Sequence, residues 1–207
     1  GSADPRRLAV TPTGSELLVA DPTSASLHVV DLATFAGTTV GLASYLPDLN
    51  GQVRAIAVHP AGVYAYLAIG DDDPAAILVL DVTARTLTGS ALLPAGTPSE
   101  VPIALSFAPD GAACYVLTSQ ETGAPSRTVI TLNATAPASP TVAAATALAT
   151  TGLPMDEVWL VSPAGGQLLL NARDDGFLLV DLATMAIMPQ STVVPAGAPL
   201  DFGFSPD

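Results

Sequence analysis

The sequence predicts an all-β chain, a β-propeller of four-stranded antiparallel blades, on three observations. An x-Pro-x-Gly turn recurs four times, an apolar strand ending in Asp recurs behind it, and the strand before each turn alternates large and small residues. The turns are Thr11-Pro12-Thr13-Gly14, His59-Pro60-Ala61-Gly62, Ala108-Pro109-Asp110-Gly111 and Ser162-Pro163-Ala164-Gly165, and a fifth begins at Ser205-Pro206-Asp207. Their prolines are 48, 49, 54 and 43 residues apart. A repeat of this length built from short strands is the sequence pattern of a propeller blade.

The innermost strand, A, precedes the motif. Counting back from its Pro, large residues stand fourth (Leu8, Ile56, Leu105, Trp159, Phe202) and second (Val10, Val58, Phe107, Val161, Phe204). Ala9, Ala57, Ser106, Leu160 and Gly203 lie between them, which is the period of two of a strand. In the motif itself, Pro presets φ and Gly supplies positive φ, so it reads as the hairpin turn from A to B. Strand B follows, as in Glu16–Ala20 and Val63–Ile69.

Strand C is the apolar run ending in Asp: Leu27–Asp31, Ile77–Asp81 and Phe177–Asp181. The third repeat keeps the strand at Thr128–Leu132 with Thr131 or Leu132 expected at the Asp position. Asp followed by Ala-Thr can accept backbone N–H bonds, so these carboxylates read as turn residues rather than catalysts. A short outer strand, D, is expected at Thr38–Leu42 and Val193–Val194. Residues 1–3 read as an expression remnant and linker, and 4–207 as the propeller. The blades are expected at 4–51, 52–100, 101–154 and 155–199, with strand A of a further blade at 200–207.

Within the third repeat, Tyr115-Val116-Leu117-Thr118 follows Pro109-Asp110-Gly111, while Val29-Val30-Asp31 and Leu179-Val180-Asp181 stand later in theirs. This resembles the YVTN-repeat class of surface-layer and lactonase-like propellers, named for a Tyr-Val-Thr-Asn stretch after such a turn and a later Val-Ile-Asp. The resemblance covers nearly the whole chain. It implies a ring of about seven blades, of which this chain would be a piece. An open arc exposes apolar blade faces, so self-association is an expected consequence.

Composition narrows the function. Hydrophobic residues are 49% of the chain and charged residues 12%, which excludes disorder and suits strands buried on both faces. No uninterrupted apolar run of about 18 residues occurs, so no transmembrane helix is expected. The net charge is −13, with six Arg and no Lys. Phosphate binding draws on clustered cations, so a nucleic-acid partner is excluded, and an anionic membrane surface is disfavoured. Cys114 is the only cysteine, which rules out an intrachain disulfide and reads as a buried small hydrophobe.

Eleven of the nineteen acidic residues fall on loops of one face, the top, where B–C and D–A connections emerge. The hub mouth on that face is the usual place for a propeller ligand, and Arg7, Arg54, Glu157 and Asp201 start successive A strands there. Asp71, Asp72 and Asp73 form the densest acidic cluster. Their oxygens suit Ca²⁺ or another divalent cation, but without the alternate-ligand spacing of a calcium loop. His28 and His59 stand on different parts of the repeat, and no nucleophile, phosphate-loop or haem motif accompanies them. No catalytic residue and no resident cofactor are expected.

The reading is therefore a non-enzymatic binding or scaffold propeller of an exported or cell-surface bacterial protein, extracellular or periplasmic. Its partner would be a protein or a small polar ligand on the acidic face. The alternatives are a lactonase-like, metal-assisted hydrolase and an electron-transfer subunit docking a redox partner.

Overall fold

The computed structural model describes residues 7–21, 26–42, 52–70, 75–94, 100–120, 127–148, 159–171 and 177–188. These form four antiparallel sheets of four strands each. The first runs β1 (Arg7–Val10), β2 (Glu16–Asp21), β3 (Ser26–Asp31), β4 (Gly37–Gly41), and the second β5 (Val53–Val58), β6 (Tyr64–Ile69), β7 (Ala76–Asp81), β8 (Thr86–Leu92). The third runs β9 (Glu100–Phe107), β10 (Ala113–Gln120), β11 (Arg127–Asn133), β12 (Thr141–Leu148). The fourth runs β13 (Trp159–Val161), β14 (Gln167–Asn171), β15 (Phe177–Asp181), β16 (Ala186–Ile187). Every sheet is hydrogen-bonded in chain order, and the first strands lie side by side as β1–β5–β9–β13. They are the strands that converge on the hub.

The outer strand of the fourth sheet is Ala186–Ile187, whereas Val193–Val194 lies outside the described residues. The Asp turn fixes this placement, because it reverses the chain within four residues: in the first sheet Asp31 N donates to Ala36 O at 2.9 Å.

The strand-end Asp residues are turn caps. Asp31 Oδ1 accepts from Ala33 N (2.9 Å), Thr34 N (2.8 Å) and Thr34 Oγ1 (2.9 Å), and Asp181 repeats the set with Ala183 and Thr184. In the third sheet the position belongs to Asn133, not Thr131 or Leu132. Asn133 pairs with Ala113 as Asp31 pairs with Glu16, and its Oδ1 accepts from Thr135 N and Oγ1. The turn needs an acceptor oxygen, and an amide supplies one as well as a carboxylate does.

The Thr34 amide and hydroxyl hold the Asp31 carboxyl below its usual range, as Thr184 does for Asp181. A depressed folded-state pKa contributes stability that is fully present above the unfolded value of about 3.9 and is lost as pH falls through the folded one. An Asp31→Asn/Asp181→Asn double variant keeps the acceptors without the charge. Its stability deficit against the parent, from urea midpoints between pH 2 and 7, is expected to be constant above about pH 4 and to shrink below it. A gap that ignores pH would refute the capping role of the charge.

Side chains alternate between the two faces of each sheet, and three clusters fill the spaces between sheets. Leu18, Leu27 and Val29 of the first sheet meet Leu67, Leu78 and Leu80 of the second. Tyr66, Ile77 and Val79 of the second meet Leu105, Phe107, Val116 and Leu132 of the third, together with Cys114. Leu117 and Val129 of the third meet Leu168, Leu170 and Val180 of the fourth. The second and third sheets thus each have one face toward the sheet before and another toward the sheet after.

Candidate functional site

The hub ends carry two of the residues expected at the mouth. Arg7 opens β1, and Arg54 is the second residue of β5, the neighbouring inner strand. Val53 and Ala55 pair with the consecutive residues Ile69 and Ala68, so Arg54 is the extra residue of a β-bulge. The same bulge recurs in the third sheet at Ile103, between Pro102 and Ala104. A bulge re-aims the side chain it carries. Both Arg side chains are half-buried and already engaged within the protein. Glu157, Asp201 and the Asp71, Asp72 and Asp73 cluster lie outside the described residues. So does the further strand expected at 200–207.

Two charges expected on this face are buried, which is not written in the local pattern. Asp21 ends β2 and Arg127 begins β11, both only 8% exposed. Arg127 donates to Ser119 across the β10–β11 hairpin, and burial pulls its guanidinium below the usual value.

The opposite face is built from the A–B turns. Each closes with the Gly N–H donating to the first motif carbonyl, for example Gly14 N to Thr11 O at 2.8 Å and Gly62 N to His59 O at 2.7 Å. Thr11 Oγ1 and Ser162 Oγ also accept from Glu16 N and Gln167 N, both at 3.1 Å. His59 takes the same position with a different task. Its Nδ1 accepts from Ala61 N (3.1 Å), so Nε2–H donates to Gly111 O in the next turn (3.2 Å). The ring stands edge-on to Phe107, with centroids 5.1 Å apart.

This contact belongs to a series in which every turn leans on the glycine of the next. A Cβ on Gly62 would sit 3.7 Å from Pro12, on Gly111 2.5 Å from His59 Nε2, and on Gly165 3.2 Å from Pro109. Gly14 has a similar φ of 69° but no atom within 4 Å of that position. Gly14→Ala should therefore show only the left-handed backbone penalty of about 1–2 kcal/mol. Gly111→Ala should show that penalty plus about 1–3 kcal/mol for displacing the pinned imidazole. Guanidinium melts of the two variants check this, and equal losses would remove the interlock from the account.

Beside the third and fourth turns lies an open cleft of about 290 Å³, walled by Pro109, Asp110, Tyr115, Ala164 and Gly165. Burial, then the Asp110 charge, raise the Tyr115 phenol above its ordinary value, so at neutral pH its hydroxyl remains protonated. Among the described residues, no three His, Cys, Asp or Glu side chains are grouped to hold a metal ion. Cys114 is fully buried between the second and third sheets, which pushes its thiol pKa up. His28 Nδ1 bonds Thr39 Oγ1 at 3.0 Å across β3 and β4.

No family model matches the sequence, and no curated protein matches it. Solved structures do match the fold. A chain of hydrazine synthase from Kuenenia stuttgartiensis superposes with a TM-score of 0.69 at 18% identity, over 88% of this chain and 53% of that one. The β-propeller domain of Cps50 (Swd1) from Myceliophteria thermophila superposes with a TM-score of 0.60 at 15% identity, over 84% of this chain and 51% of that one. The chain is thus a β-propeller in fold, and it spans about half the length of either neighbour.

Proposed function

We propose that this chain is a non-enzymatic binding or scaffold propeller of the surface-layer class, exported and displayed outside the cytoplasm. Its acidic top face and hub mouth, with Arg7 and Arg54 at adjacent inner strands, would bind a protein or a small polar ligand. The observation that supports this best is the structural employment of several reactive side chains among the described residues. Both His59 nitrogens are used in joining two turns, Cys114 is sealed between sheets, and Asp31, Asp81 and Asp181 cap turns. Residues spent on structure in this way are not poised to exchange protons or attack a substrate. The acidic surface suits solubility in a salty exterior and attraction of cationic partners.

Calorimetric titration with Ca²⁺, Mg²⁺ and Mn²⁺, run beside a lactone hydrolysis screen, tests the reading. Heats without turnover, or neither, are expected. Metal-dependent turnover lost in Glu157→Ala or Asp201→Ala would replace the scaffold by a lactonase-like hydrolase.

A further inference from the structure

The sheet interface made three times inside the chain is left half-made at its first sheet. Leu105 and Phe107 of the third sheet face the sheet before them and are 8% and 9% exposed. Their equivalents in the first sheet, Leu8 and Val10, are 57% and 52% exposed. The C–D turns agree. Three of the four place one residue at positive φ: Phe35, Arg85 and Met185. Arg85 of the second sheet pairs with Glu16 of the first, and Met185 of the fourth packs on the cluster shared with the third. Phe35 has the same backbone and is 79% exposed. The A–B turns add an independent sign, since Gly14 alone of the four motif glycines has no preceding turn against it.

We propose that a second copy of this chain covers this face, docking the outward side of its own fourth sheet head to tail on the first sheet. The fourth sheet has the matching surface. Leu169 and Leu179 hold the positions of Leu18 and Val29, which are wholly buried against the following sheet, yet both are only half-buried. The chain therefore owns both halves of an interface whose fit it demonstrates three times internally, and such self-complementary, unlike surfaces join copies head to tail. The inference rests on blade packing and is independent of the binding role proposed above.

Sedimentation velocity over a concentration series of the full 207-residue chain decides it. The unsubstituted chain should reach twice the single-chain mass. Leu8→Asp and Phe35→Asp, both at exposed positions that the fold tolerates, should return it to the single-chain mass with an unchanged circular dichroism spectrum. Leu92→Asp, on the outer strand β8 and 65% exposed, should leave the doubled mass intact. A single-chain mass at every concentration would overturn the proposal, and would mean that another segment or another protein covers the face. So would association that survives both Leu8→Asp and Phe35→Asp, or that Leu92→Asp abolishes equally.

Discussion

Replacing Tyr66 with alanine is expected to lower the unfolding free energy by about 3–5 kcal/mol, the range for removing a buried aromatic. The side chain is fully buried on β6, where it belongs to the cluster between the second and third sheets. Its ring lies 4.7 Å, centroid to centroid, from Phe107 of the third sheet, tilted by 54°. Its hydroxyl donates to Pro137 O at 3.0 Å, in the loop between β11 and β12. That loop also leans on β8, since a Cβ on Gly89 would sit 2.7 Å from Ala138 O. Tyr66 therefore joins two sheets by packing and by a hydrogen bond at once. Burial, then the neighbouring Cys114, raise its phenol above the ordinary range. Tyr66→Phe separates the contributions: losing the bond alone should lower stability by about 0.5–1.5 kcal/mol. Urea melts of both variants read the effects. A Tyr66→Ala loss no larger than that of Tyr66→Phe would show that the ring is not part of an inter-sheet core.

Much of this architecture could be read from local sequence because a blade is specified locally. The x-Pro-x-Gly turn fixes where A ends and B begins, and the strand-end acceptor fixes where C turns into D. Both devices act over four or five residues, so their signal survives in a single repeat. Asn133 was missed for a physical reason. The distance from the turn glycine to the capping residue varies, from Gly14–Asp31 to Gly111–Asn133, because the B–C connection changes length. Searching for a carboxylate at fixed spacing fails, whereas searching for any acceptor before a Thr two or three residues on finds Asp31, Asn133 and Asp181.

What sequence could not give is everything made between repeats. The His59–Gly111 bond joins residues 52 positions apart, and nothing in either motif announces the other. The Arg54 bulge is equally silent, since one extra residue in a strand leaves the alternation on either side intact. At the candidate site, Arg7 and Arg54 were found from their place at the start of A strands. The burial of Asp21 and Arg127 depends on neighbouring strands and loops and so had no local signature.

The central claim is directional: each sheet buries one face against the sheet before it, and the first sheet meets no such neighbour among the described residues. Leu8 and Leu105 hold the same position on strand A of the first and third sheets, one 57% and the other 8% exposed. The direct measurement is the unfolding free energy of Leu8→Asp and Leu105→Asp, taken by urea titration in solution dilute enough to hold single chains. Leu105→Asp should lose about 3–5 kcal/mol, as an uncompensated charge in an apolar interface does, or fail to fold. Leu8→Asp should stay within about 0.5 kcal/mol of the parent, as exposed substitutions do. Comparable losses at the two positions would mean that the first sheet is already covered within its own chain, and would contradict the account.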